Sequence, residues 1–216
     1  MRIGIFGGSF DPVHTAHIQM ALGAKSQLNL DELYLVPTRP WQKTARASDE
    51  DRLEMLKIAF APYSAHLRID TRELERAGQS YSIDTIFSFR KQYGPTCKLF
   101  FVMGADQWRN LTTWIQWQRF PELTNLAVFK RNGIAFSDPY EGKYKVIPAQ
   151  DSQECSAFGE IFLLNLPELD VSSSAIRQAL FQEPSRSSPI VGLDPNIQNY
   201  ILEHELYLPR EGSHKI

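Results

Sequence analysis

Residues 7–17 read GGSFDPVHTAH: two adjacent glycines, then His14 and His17 three positions apart. A short apolar run at residues 2–6 precedes them. Ile18, Ala21, Leu22 and Ala24 follow at helical spacing, so the segment joins a buried strand to a helix beginning near His14. A helix N-terminus leaves backbone N–H groups unpaired, and its dipole favours an anion. Gly7 and Gly8 let the backbone approach a ligand closely, and residues three apart on a helix share a face. Three readings of the pair stand open: packed core imidazoles, zinc ligands, or phosphate-binding imidazoles. The zinc reading lacks a third partner, because neither Cys97 nor Cys155 stands in a metal-ligand spacing to a histidine. The phosphate reading agrees with the glycines and the helix terminus. Neither GxGxxG nor GxxxxGK(S/T) is present.

A second anion-binding pattern lies far along the chain. Ser172, Ser173 and Ser174 open a helix carrying Ile176, Ala179 and Leu180, and Arg177 sits one turn inside. The serines can cap that helix. The same terminus can hold phosphate, and Arg177 offers it a planar fork of donors. Residues 38–47, with Arg39, Lys43 and Arg46, show no period and form a long connection, the kind that often serves as a lid or binding loop. Gly104 and Asp106 follow the most apolar run, KLFFVM at 98–103; Asp106 is either a ligand contact or an N-cap. Trp114 shares a helical stripe with Trp108, Leu111 and Ile115, so it reads equally as core or as a stacking platform. No Ser–His–Asp or Cys–His arrangement is evident.

These residues need a scaffold, and the periodicity supplies one. Strand-like runs fall at 2–6, 33–36, 67–70, 98–103, 126–129 and 161–164, with helical patterns between most of them. Ser48 with Asp51 resembles a capping box, Ser82 caps the next helix, Gly94-Pro95 ends it, and Asp194-Pro195 starts the last one. Alternation of this kind predicts an α/β, Rossmann-like open sheet, mostly parallel, with helices on both faces. Ligands in such sheets bind beyond the carboxyl ends of the strands, where the order switches. The loops after Phe6, Val36, Met103 and Leu164 are therefore the expected site.

The chain has 216 residues, enough for one domain with a buried core. We read residues 1–208 as that domain, with an irregular excursion at 132–160 and a loose tail at 209–216. A count of 23 Lys plus Arg against 25 Asp plus Glu disfavours a polynucleotide surface, which is usually basic. It leaves room for a small anion held by a few donors. No apolar run nears the roughly 20 residues that span a bilayer, and the first residues do not form a signal peptide. Two cysteines 58 residues apart read as free thiols in a cytoplasmic protein.

GGSFDPVHTAH resembles the signature of the HxGH nucleotidyltransferases, with Ala16 where the family usually has Gly. VSSSAIR at 171–177 resembles a second signature, of the ISSTxIR type. PWQK at 40–43, RLEML at 52–56, SYSIDT at 80–85, VMGADQW at 102–108 and the region of Trp114 are similar to one branch, the bacterial nicotinate-nucleotide adenylyltransferases. The resemblance runs from residue 1 to about residue 207 and is weakest over 132–160. It implies transfer of AMP from ATP to nicotinate mononucleotide, giving nicotinate adenine dinucleotide and pyrophosphate in NAD biosynthesis. It also implies Mg²⁺, carried mainly by the ATP phosphates, with no dedicated metal-ligand set.

The roles it implies are these. Gly7, Gly8, Ser9 and Phe10 face the ATP phosphates, while His14 and His17 stabilise charge at the α-phosphate. Ser172, Ser173, Ser174 and Arg177 hold the other phosphates. Gly104 and Asp106 serve ATP, and Asp106 also serves the mononucleotide. Lys43 contacts the triphosphate and the acceptor; Gln42 stands beside it where the family often has His. Tyr81, Ser82 and Ile83 recognise the nicotinate carboxylate through backbone amides, and Trp114 with Ile115 takes the pyridine ring. Catalysis would rest on His14, His17, Lys43 and Arg177. The rival readings are an enzyme for nicotinamide mononucleotide or another acceptor, and a nucleotide-binding sensor without turnover. The sequence carries no sign of oligomeric state.

Overall fold

The computed structural model describes residues 1–39, 46–130, 136–166, 170–182 and 188–208. Seven strands form one sheet: β1 (Arg2–Gly8), β2 (Glu32–Pro37), β3 (Leu67–Ile69), β4 (Lys98–Met103), β5 (Asn125–Phe129), β6 (Lys145–Pro148) and β7 (Glu160–Leu164). Their spatial order is β3-β2-β1-β4-β5-β7-β6, and every pairing is parallel. The order reverses between β1 and β4, which places the switch point beside the Gly7-Gly8 end of β1.

Alternation along the strands sends side chains to two cores. Phe100 and Val102 of β4 face one layer with Phe6, Ala127 and Phe162. Leu99, Phe101 and Met103 face the other with Ile3, Ile5 and Leu126. Helices α1 (Thr15–Gln27) and α2 (Asp49–Phe60) cover the first face; α4 (Ser82–Tyr93) covers the second, after the short α3 (Arg72–Glu75). Farther along, α5 (Ala105–Arg109) and α6 (Phe120–Leu123) join the second face, and α7 (Ser173–Gln182) and α8 (Pro195–Glu203) the first. Gly4 marks one close approach: an added Cβ would lie 2.4 Å from Leu33 Cδ1 and 2.6 Å from Leu30 Cδ1.

The termini follow local chemistry. Ser48 caps α2 by accepting the Asp51 amide at 3.0 Å, and three acids fill the first turn, where the helix dipole favours them. Gly94, at φ 80, follows α4, and Asp194 caps α8 ahead of Pro195.

Three expectations are corrected. The N-cap of α4 is Tyr81, with Ser82 its first helical residue and no side-chain cap. The helix after β4 stops at Arg109; a 3₁₀ turn at Leu111–Thr113 follows, so Trp114 lies in extended backbone beyond it rather than on one long helical stripe. The 132–160 excursion contains β6, the edge strand beside β7. Only Ile147 of its four residues is buried, too little to show a period, and Pro148 suits an edge. Residues 131–135 and the tail beyond 208 lie outside the described residues. No helix among the described residues is long and apolar enough to cross a membrane.

Candidate active site

Two cavities meet at the carboxyl end of β1. The larger, about 590 Å³, is lined by Gly7, Gly8, Ser9, His17, Gly104, Asp106 and Ser172 among others. The smaller, about 270 Å³, is lined by Gly7, Gly8, Ser9, Tyr81, Ser82, Trp114 and Ile115 among others. Gly7, Gly8, Ser9 and Gln107 border both. A backbone three residues wide thus separates the larger space from an aromatic-walled one.

The histidines sit at the N-terminus of α1, with His14 as N-cap. Their ring centroids are 3.8 Å apart. The His14 backbone amide donates to His17 Nδ1 at 3.3 Å. His17 therefore carries its proton on Nε2, on a ring that borders the larger cavity. Burial lowers the His14 pKa to about 4. Burial lowers that of His17 as well, and the neighbouring His14 pushes the same way. Both rings are neutral near pH 7 and act there as hydrogen-bonding groups, not as cations. His14 is buried, and among the described residues its Nδ1 has no hydrogen-bond partner.

Phe10 is fully buried, with its ring 5.0 Å edge-on from His17 and 5.7 Å from Phe6. Only its backbone can serve a ligand. The space beside it is filled closely: a Cβ on Gly8 would come within 3.0–3.3 Å of the Phe10 ring.

Around the start of α7, Ser172 Oγ accepts the Ala175 amide at 3.2 Å, which caps the helix. Ser173 Oγ donates to the Pro12 carbonyl at 2.9 Å. Arg177 donates to the Asp11 carbonyl at 2.5 Å and to Ser174 Oγ at 3.2 Å. Ser172 borders the cavity, while Ser173 and Arg177 grip the 7–17 loop from one side and Ser174 holds Arg177. Asp11 is itself a hub. Its carboxylate accepts the amides of Arg46 (2.8 Å) and Ala47 (3.2 Å) and the hydroxyl of Tyr207 (2.7 Å).

On the acceptor side, Trp114 packs edge-on against Phe101 and Phe120 and borders the smaller cavity. Tyr81 and Ser82 bring the N-terminus of α4 to the same space, but the Ile83 side chain is buried in the core. Asp106 is the second residue of α5, whose N-cap is Gly104, so it is not the cap. Lys43 lies outside the described residues.

Thr38 and Arg39 bring the start of the expected binding loop to the smaller cavity, while several lining residues escaped the sequence reading: Gln107, Lys130 and Asp170 on the larger side, Glu73 and Thr85 on the smaller. Lys130 had a signal, since it directly follows β5 at the carboxyl edge. Thr85 had one too, one helical turn from Ser82. Among the described residues no group of three His, Cys, Asp or Glu could hold a metal ion.

An all-parallel open sheet with a Gly-Gly-Ser strand end at its switch point defines a Rossmann-like class of α/β proteins. Residues 5–179 match the family model described as cytidylyltransferase-like. A protein from Chromobacterium violaceum named "Probable nicotinate-nucleotide adenylyltransferase" is 36% identical over 213 residues, covering 95% of this chain and 98% of its own. One of the same name from Shewanella frigidimarina is 37% identical over 215 residues, covering 96% and 100%. Within that class, the chain belongs to the nicotinate-nucleotide adenylyltransferase family. A Plasmodium falciparum nicotinic acid mononucleotide adenylyltransferase complexed with NaAD shares the fold, at TM-score 0.72 and 20% identity, over 95% of this chain and 97% of that one.

Proposed function

We propose that this chain, with residues 1–208 as one cytoplasmic domain, moves the adenylyl group of ATP onto nicotinate mononucleotide, releasing pyrophosphate. The observation that carries the reading is the shared wall: Gly7, Gly8 and Ser9 border a large cavity and a small one at once. A transfer between two substrates needs their reacting ends held together, and positioning with charge stabilisation supplies most of such catalysis.

ATP takes the larger cavity. His17 donates from Nε2 to an α-phosphate oxygen, and His14 holds His17 in that tautomer. The backbone of Ser9 and Phe10, Ser172–Ser174, Arg177 and Lys43 serve the remaining phosphates, with Gly104 and Asp106 on the nucleoside side. An oxygen of the mononucleotide's phosphate forms a bond to the α-phosphorus. The bond from that phosphorus to the bridging oxygen breaks opposite, and pyrophosphate leaves with the electron pair. No side chain has to become covalently bound.

The pyridine ring lies against Trp114 and Ile115. Its carboxylate meets the first-turn amides of α4, at Ser82 and Ile83, which a helix leaves unpaired and favourable to an anion. That arrangement favours nicotinate over neutral nicotinamide. Arg39, at the same cavity, adds a cation for an acidic substrate. Nucleotidyltransferases generally pair a divalent metal with the nucleotide, and we assign Mg²⁺. Asp106 and Asp170 both border the larger cavity, and one or two carboxylates suffice for an ion that keeps water and phosphate as its other ligands. When bound, Mg²⁺ neutralises charge on the phosphates.

The test is pyrophosphate release from ATP with nicotinate mononucleotide and, separately, nicotinamide mononucleotide. Release at least tenfold faster with the nicotinate form is expected. No release with it overturns the reading and leaves a binding protein or another acceptor.

A further inference from the structure

Arg52 is fully buried, on the apolar stripe of α2 that also carries Met55, Leu56 and Ala59. A buried arginine is costly unless its donors are well used. Here Nη1 donates to two carbonyls at once, Ser9 at 2.6 Å and Thr38 at 2.8 Å. Nη2 donates to Asp49 Oδ1 at 2.6 Å, and Asp49 Oδ2 accepts Arg39 Nε at 2.6 Å. Ser9 borders both cavities, whereas Thr38 and Arg39 border only the acceptor one. The far end of the same connection is tied down similarly, because the Asp11 carboxylate accepts the amides of Arg46 and Ala47. Residues 38 and 46–47 are thus both fastened to residues 9–11.

We propose that Arg52 is a positioning residue for the acceptor substrate, fixing the Thr38–Arg39 side of its cavity to the phosphate-binding strand end through the Ser9 and Thr38 carbonyls. This rests on the two-substrate reading above. A planar fork can span two carbonyls and a carboxylate together; an ammonium group offers one point of attachment, and a neutral amide loses the charge as well. The phosphate side is braced on two flanks, β1 pairing with β2 from Ile3 to Gly8 and with β4 from Arg2 to Phe6, whereas Thr38 keeps beside the fork one amide bond, to the Gly8 carbonyl at 2.9 Å. Loss of the fork therefore falls on the acceptor.

The experiment compares wild type, Arg52→Lys and Arg52→Gln, reading kcat and KM for nicotinate mononucleotide, and ATP affinity by calorimetry, well below each variant's Tm. Arg52→Gln is expected to raise the mononucleotide KM at least fivefold with ATP affinity within twofold, and Arg52→Lys to fall between. A rise below fivefold, or an equal loss at both substrates, overturns the proposal, the second outcome marking a merely structural arginine. If Arg52→Gln does not fold, Asp49→Asn, which weakens the link from Arg52 to Arg39, must show the same split. A wild type without pyrophosphate release overturns the functional reading and this proposal together, whereas an active wild type beside an unaffected variant overturns this proposal alone.

Discussion

His17 Nδ1 accepts the backbone amide of His14 at 3.3 Å, so the position of the proton on the second ring is set by the first residue's main chain. The Nε2–H left over is a fixed donor at the edge of the larger cavity. Removing one such preorganised donor typically costs about 10²–10³ in turnover. His17→Ala is expected to lower kcat by that order with ATP KM changed only a few-fold. Steady-state pyrophosphate release reads both, and a kcat within a few-fold of wild type removes His17 from the chemistry.

The histidines also set a pH dependence. Burial holds the folded His14 near pKa 4 against 6.5 in the unfolded chain, so the unfolded chain binds the proton more tightly. Stability from this residue is complete above pH 6.5 and is lost as pH falls toward 4, by about 3 kcal/mol in total. His17 acts in the same direction. Denaturant midpoints across pH 4–7 should fall on the acid side, and neither His14 nor His17 should show an NMR titration step near 6.5 in the free enzyme.

Gly8 is packed for an absent side chain. A methyl there would press on the Phe10 ring at 3.0–3.3 Å, and that ring lies against His17. Gly8→Ala should destabilise by about 1–3 kcal/mol, the usual cost of overpacking, and lower kcat at least tenfold through the displaced imidazole. Thermal melting beside initial rates checks the pairing; lost stability with intact kcat argues against the mechanical link.

Trp114 separates stacking from packing. Aromatic stacking on a base contributes about 1–3 kcal/mol, so Trp114→Ala should raise the mononucleotide KM roughly tenfold or more while ATP affinity holds. Trp114→Phe should recover most of it. A Trp114→Ala enzyme with unchanged KM assigns the indole to the core with Phe101 and Phe120.

Most of the scaffold was legible because its strands are buried on both faces and therefore read as unbroken apolar runs. KLFFVM is the clearest example. Both histidines and the 172–174 serines stood out because helix termini announce themselves through capping chemistry. What escaped was set by tertiary contact. β6 buries one residue, so no period marks it. Trp114 looked helical because a 3₁₀ turn mimics helical spacing for a few residues. Glu73 and Thr85 reach the smaller cavity from separate elements, a convergence no local pattern encodes. Arg52 did carry a signal, a charge at the head of an apolar helical stripe, but its two carbonyl partners lie 43 and 14 residues away.

The Tyr207 hydroxyl on the Asp11 carboxylate has a practical side. β1 runs from Arg2, at the amino edge of the sheet, to its end at Gly8 beside both cavities, a span of roughly 20 Å at strand rise. The last described turn of the chain instead ends against the 7–17 loop. An affinity handle or surface tether placed at the amino end stands clear of both cavities, while deletions that remove Tyr207 strip a hydrogen bond from the 7–17 loop.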